Sequence, residues 1–318
     1  MKIRKAIFNS PIQNEVELEL QSKELLKKLS NPPTKAELLN ISKTHSVDIA
    51  TRCFFDGIKL SKHNKIIEEI NTQPIKPKEI NSDLLIYIIP GMFHKEHPEL
   101  GTNGDLVKEI AQKFGLKTKF INTNSVGSIE ENAKTVVEQL KKETHPNICL
   151  LSISKGSCNV RKILQTNPNI DNISAWIDLA GVHQGVPFID KAFNAFFSRL
   201  YLRLISKVFR MQFSTFTELK TSSPHWKNNN WPNNINIIHI VPVPLQSHVH
   251  NSIIRRYKQT LIHGPNDGFI PLVDSLTLPG CIYPIWGYDH YLRNPNLSQL
   301  LHKLFNYLIT TQPKKKYT

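Results

Sequence analysis

The chain has 318 residues, 40% of them apolar, which is enough for one large α/β domain plus an extra segment or for two ordinary domains, and excludes a disordered bulk. Its net charge of +14 comes from scattered basic residues with no zinc-finger, RNP-like or KH-like motif, so no specific nucleic-acid partner is expected. Four widely spaced cysteines (Cys53, Cys149, Cys158, Cys281) form no C-x-x-C pair and no zinc spacing; they read as buried apolar side chains of a reducing compartment, with no metal or organic cofactor implied.

The N-terminus, MKIRKAIFNSPIQ, is basic but has neither the apolar stretch of about 7–15 residues nor the small-residue cleavage site of a secretory signal. No run of about 18 apolar residues occurs, so no membrane span is expected. A cytoplasmic protein is the expectation, with secretion by a signal-less route left open.

Residues 1–80 read as a helical extension. NEVELELQSKELLKKLS alternates at its start, then takes a helical period through Leu25, Leu26 and Leu29. Thr34 followed by Glu37 forms a capping box, and Ile49, Cys53, Phe54 and Ile58 share one side of the next helix. Two prolines in NTQPIKPKEINSD break the pattern. Residues 81–312 then alternate strand and helix. DLLIYII, LKTKFIN, NICLLSI, ISAWIDLA, INIIHIV and CIYPIWG are the strands, and SIEENAKTVVEQLKKE is a helix with Ser128 as N-cap and Glu131 at N3. Repeated β-α-β units imply an α/β fold, a mostly parallel sheet with helices on both faces. An insert at about 183–234 interrupts the repeat, and 313–318 form a basic tail.

Within the insert, residues 189–213 form an amphipathic pattern. Arg199, Arg203, Lys207 and Arg210 fall within about 80° of one another on a helical wheel, opposite Phe197, Leu200, Leu204, Val208 and Met211. Such a helix packs its apolar face on the core, lies on an anionic membrane, or closes over an acyl chain with its basic face outward. The first of these is the expectation.

Ligands of a parallel sheet bind at the carboxyl ends of its strands. The polar residues there run in the order Ser154, Asp267, His290, with Pro90-Gly91-Met92-Phe93 after the first strand. A serine hydroxyl needs a base to become a nucleophile, a histidine is the usual base near pH 7, and a carboxylate fixes its tautomer. The oxyanion formed on attack needs two N–H donors: one from Lys155, just after the serine, and one from Met92 or Phe93. Taken alone, Ser154 reads as a helix N-cap ahead of a nucleophile.

Residues 82–310 resemble the α/β-hydrolase superfamily on its lipase/esterase side. Ser152-Ile153-Ser154-Lys155-Gly156 is similar to the G-x-S-x-G nucleophile elbow, with serine in place of the first glycine. Pro90-Gly91 resembles the His-Gly dipeptide of the oxyanion loop. LAGVHQGVP resembles the Thr-Pro-His-x-Gly stretch after the family's sixth strand, which is the fourth strand here; its histidine, His183, is not the base. GPNDGFIPLVDS is similar to the acid loop and GYDH to the loop presenting the base. The resemblance implies a cap after that strand, Ser154, Asp267 and His290 as catalytic residues, and backbone donors from Met92, Phe93 and Lys155. Asp178 is the rival acid; Asp289, adjacent to His290, is poorly placed to orient it. Lys155 is read as offering only its N–H, and Asp274 and Ser275 as capping or packing. The expected activity is hydrolysis of a carboxylic ester or thioester of a lipid or acylated molecule. A binding module on the same fold, and an acyltransferase or amidase using the same triad, are the alternatives. Oligomeric state is left open.

Overall fold

Apolar runs such as LIYII and ICLLSI have no polar face, so each strand must be covered on both sides. The computed structural model, which describes residues 14–76, 83–166, 170, 172–194, 200, 203–204, 206–208 and 213–311, satisfies that demand. Six strands, β1 (Leu85–Ile89), β2 (Lys117–Phe120), β3 (Ile148–Ile153), β4 (Ile173–Leu179), β5 (Asn236–Val243) and β6 (Cys281–Trp286), form one parallel sheet in the order β2-β1-β3-β4-β5-β6.

Side chains alternate between two cores, as the pleat requires. Ile86, Ile88, Cys149, Leu151 and Ile177 point to one side, with helices α5 (Asp105–Lys113) and α11 (Leu297–Thr311). Tyr87, Ile89, Leu150 and Trp176 point to the other, with α6 (Ile129–Lys141) and α7 (Gly156–Thr166). Ser128 caps α6 as expected, accepting from the Glu131 N–H. All four cysteines are buried and free.

The N-terminal residues fold as α1 (Glu15–Leu26), α2 (Lys35–Thr44), α3 (Val47–Leu60) and α4 (Asn64–Asn71). The capping box of Thr34 and Glu37 is present. The early alternation of VELEL does not make a strand: Asn14 caps α1, acidic Glu15 and Glu17 lie in its first turn, and the helix runs unbroken from Glu15. Helical hydrogen bonding overrides the two-residue period, burying Leu18 and leaving Val16 and Leu20 exposed. Leu18, Leu38, Phe54, Ile58 and Ile70 are fully buried in the same core as the sheet. These helices also cover the outer edge of β6, which would otherwise expose unpaired backbone. The Ile282 N–H donates to His63 Nδ1 (3.3 Å), Tyr283 Oη donates to Asn71 (2.6 Å) and the Trp286 indole donates to Glu15 (2.8 Å).

The insert departs from expectation. After α8 (Pro187–Asn194), Leu200, Leu204 and Val208 are 49%, 54% and 75% exposed rather than packed. Val186, Ile189, Phe216, Leu219 and Trp226 of the same insert are instead buried together in a separate apolar cluster. Phe197, Arg199, Arg210 and Met211, and the tail at 313–318, lie outside the described residues. No described helix is long and apolar enough to cross a membrane.

Phe54 tests whether the N-terminal helices share the sheet's stability. Phe54→Ala should cost about 3–5 kcal/mol and shift one cooperative denaturant transition, seen alike by circular dichroism and tryptophan fluorescence. An unchanged sheet transition beside a separate, earlier one would contradict the shared core.

Candidate active site

The strand order reverses at β1 and β3, since the chain goes out to β2 and returns to the other side of β1. This is where a parallel sheet opens a crevice beyond its carboxyl ends. Pro90 and Gly91 follow β1, and Ser154 follows β3, so two expected parts of the site flank the switch.

Ser154 stands in the left-handed region, at φ +50°, unusual for a residue with a side chain. The turn is held by Ser154 N–H donating to the Leu179 carbonyl (2.9 Å), and by the Ser157 N–H donating to the Ser154 carbonyl (3.0 Å). Gly156 is obligatory for steric reasons. A Cβ there would lie 2.5 Å from the Ile89 carbonyl oxygen and 2.7 Å from that of Pro90. Ser152, which departs from the glycine of the resembled motif, is buried, and its hydroxyl accepts from the Trp176 indole (2.8 Å) and contacts the Ser157 hydroxyl (2.9 Å). The site has room and partners for that hydroxyl.

Ser154 Oγ lies 2.9 Å from His290 Nε2, and His290 Nδ1 lies 2.7 Å from Asp267 Oδ2. The carboxylate is itself fixed. Its Oδ1 accepts from the N–H groups of Phe269 (2.9 Å) and Ile270 (2.8 Å), and its carbonyl accepts from the His290 N–H (2.8 Å). Burial alone would lower the His290 pKa, but the charge and hydrogen bond of Asp267 outweigh it, and the net shift is upward from 6.5. Asp289 is turned away, accepting from the His250 N–H (3.0 Å).

The two loop donors separate. The Phe93 N–H donates to the Ser125 carbonyl (3.2 Å), so Phe93 drops out of the expected oxyanion set. The N–H groups of Met92 and Lys155 have no hydrogen-bond acceptor among the described residues. The Lys155 side chain runs away from the serine, and its buried ammonium donates to the Gly127 carbonyl (2.7 Å). Burial lowers its pKa.

Beside Ser154, His290, Met92 and Lys155 opens a cavity of about 180 Å³, walled by Val182, Val186, Phe188, Ile189, Phe216, Leu219, Phe269 and Ile270. Its walls are almost wholly apolar.

Asp178, the rival acid, does not meet His290. It sits on β4 in a separate buried network, where Oδ2 receives His183 Nε2 (2.5 Å) and His239 Nδ1 (2.8 Å) and Oδ1 accepts from the Ser157 hydroxyl. His239 Nε2 faces the Pro279 carbonyl (3.0 Å). The carboxylate lies between the two rings at hydrogen-bond distances, and His183 is engaged there rather than near Ser154. Asp178 and the two histidines are the one such group of potential metal ligands among the described residues. Shared hydrogen bonds account for their closeness without an ion. The sequence held one sign of this network: a carboxylate inside the apolar strand ISAWIDLA must find partners. Asp274 is not a cap; it lines a small cavity with Asp178, Asp267 and His183, and burial pushes its carboxyl up to about 7. Ser275 donates to the Leu272 carbonyl (2.6 Å).

No family model and no curated protein matches the sequence. Solved structures do match in fold. A metagenomic carboxyl esterase, MGS0156, aligns over 74% of this chain and 77% of its own, at 17% identity and a TM-score of 0.57. Lipase BlEst2 of Bacillus licheniformis, in its mature form, aligns over 74% and 93% at 15% identity and a TM-score of 0.50. Phospholipase PlaB of Legionella pneumophila aligns over 73% of this chain but 59% of its own, at 10% identity and a TM-score of 0.53. At these identities the likeness is one of fold, and the chain has the α/β-hydrolase fold.

A base acting through Nε2 must be neutral, and the His290 pKa is raised. Reactivity at Ser154 should therefore fall as pH drops through a value above 6.5. The rate of labelling by a fluorophosphonate, followed against pH, should show its half-maximum there. Asp267→Asn should move it lower and cut the rate by on the order of 10³–10⁴. A half-maximum unmoved by Asp267→Asn would contradict the assigned partner.

Proposed function

We propose that this chain is a serine hydrolase that cleaves a carboxylic ester or thioester with an apolar acyl group. The observation that carries the reading is the Ser154–His290–Asp267 relay, at 2.9 and 2.7 Å, opening onto an apolar cavity. An N-cap serine needs no base behind it, and a surface histidine needs no buried carboxylate.

In this reading the acyl chain lies against Val186, Phe188 and Phe216, with the carbonyl carbon over Ser154. Ser154 Oγ attacks while His290 Nε2 takes its proton, and Asp267 stabilises the imidazolium through Nδ1. The carbonyl oxygen becomes an oxyanion bound by the N–H groups of Met92 and Lys155. His290 returns the proton to the leaving alkoxide or thiolate, and Ser154 is left acylated. Water then gives a proton to His290 as it attacks the acyl carbon, and His290 passes that proton to Ser154 Oγ as the bond to the acyl group breaks and the acid leaves. An acceptor alcohol or amine in place of water would make the same site an acyltransferase, and an amide substrate would make it an amidase.

The cavity beside Ser154 measures about 180 Å³. It suits short to medium acyl groups. Exposed Leu200, Leu204 and Val208, beside exposed Arg203 and Lys207, suit a peripheral contact with an anionic lipid surface that presents such a substrate.

A panel of p-nitrophenyl esters and acyl thioesters of graded length tests this. We expect kcat/KM to rise from acetyl to a maximum near four to eight carbons and then fall, consistent with the cavity's size. Ser154→Ala should abolish turnover at unchanged Tm. A folded wild-type chain inactive on every ester and thioester, with and without anionic vesicles, would instead favour a binding module.

A further inference from the structure

The loop after β1 leaves one donor unused. The Gly91 N–H donates to the Thr102 carbonyl (2.9 Å), and the Gly91 carbonyl accepts from His94 Nδ1 (2.9 Å). The Met92 carbonyl accepts from the Thr102 hydroxyl (3.3 Å). The Phe93 N–H is taken by Ser125 (3.2 Å), and the Phe93 carbonyl accepts from the His97 N–H (2.8 Å). Of the backbone groups of Gly91, Met92 and Phe93, only the Met92 N–H has no partner among the described residues.

The carbonyl of Gly91 and the N–H of Met92 belong to one peptide unit. In a trans peptide the two point in opposite directions. Whatever fixes the Gly91 carbonyl therefore aims the Met92 N–H, and what fixes it is His94. Met92 lines the same cavity as Ser154 and His290.

A carbonyl oxygen only accepts, so His94 carries its proton on Nδ1. Its Nε2 is buried with no partner among the described residues, and the ring packs edge-on against Phe120 at 5.8 Å between centroids. Burial holds the His94 pKa below the ordinary histidine value, which keeps the ring neutral. A phenyl ring would fill the same space without leaving a nitrogen unsatisfied. The bond to Gly91 is what distinguishes imidazole from phenyl here.

We infer that His94 is a positioning residue for the oxyanion site: its Nδ1–H bond to the Gly91 carbonyl aims the Met92 N–H at the developing oxyanion and polarises the peptide they share. The inference rests on the hydrolase reading above.

The test compares wild type with His94→Phe, His94→Asn and His94→Gln on p-nitrophenyl butyrate. An alkyl trifluoromethyl ketone, which forms a serine-bound oxyanion, serves as the second probe. Asparagine places an amide N–H near the position of Nδ1, whereas glutamine places it near Nε2. His94→Phe should lower kcat by roughly 10- to 100-fold, short of the full loss of a donor, with KM within about 3-fold. Its inhibition constant for the ketone should rise by a similar factor. His94→Asn should stay within about 5-fold of wild type and well above His94→Gln. Wild-type kcat and ketone affinity in folded His94→Phe would overturn the inference. Should His94→Phe fail to fold, equal impairment of the asparagine and glutamine variants would overturn it. Wild type no more active than Ser154→Ala would instead remove the hydrolase reading, and this inference with it.

Discussion

The site depends on one close approach: the start of α7 lies against the carbonyls of Ile89 and Pro90 at the end of β1. Only a residue without a Cβ fits at position 156, since the nearest oxygen would lie 2.5 Å from it. That contact lets the helix begin after a turn of two residues beyond the strand's end, the first of them a serine held at φ +50°. It also brings the Lys155 N–H and the peptide after Gly91 to the same side of the sheet. Ser154 and the free N–H groups beside it are thus set by backbone geometry, and the side chains are arranged around it.

The opposite end of the sheet supports His290. His290 follows β6, an edge strand, and its position relative to Ser154 is only as firm as that edge. The N-terminal helices supply the firmness, through His63, Asn71 and Glu15 on β6 and through Phe54 and Ile58 in the shared core. Asp267 is fixed by two backbone N–H groups of its own loop. The Asp178 network performs a similar service behind the elbow, linking β4 to the first turn of α7 through Ser157. A carboxylate so well partnered is held in its charged form despite burial, with its pKa lowered by His183 and His239.

Much of this could be read from the residues. The six strands, the N-caps at Thr34 and Ser128, and the order Ser154, Asp267, His290 depend on periodicity, local hydrogen bonding and chain order, all of which sequence carries. What sequence did not carry was set by tertiary contact. Whether Met92 or Phe93 keeps a free N–H depends on where the Ser125 carbonyl lies. Leu200, Leu204 and Val208 are exposed while Phe216 and Trp226 of the same insert are buried, a difference that helical periodicity alone does not carry. Ser152 looked like a departure from a motif, and only its contacts with Trp176 and Ser157 show why the position accepts a hydroxyl. His94 lies three residues from Gly91, but nothing in PGMFH marks which carbonyl it faces.

The claim at the centre is that Ser154 becomes covalently acylated with His290 as the base. Acid-quenching the enzyme within its first turnovers of p-nitrophenyl butyrate, followed by peptide mass mapping, tests it directly. The account predicts one added butyryl group on the peptide carrying Ser154, absent in Ser154→Ala and strongly reduced in His290→Ala. Steady turnover with no adduct on Ser154, or an equal adduct when His290 is replaced, would contradict it.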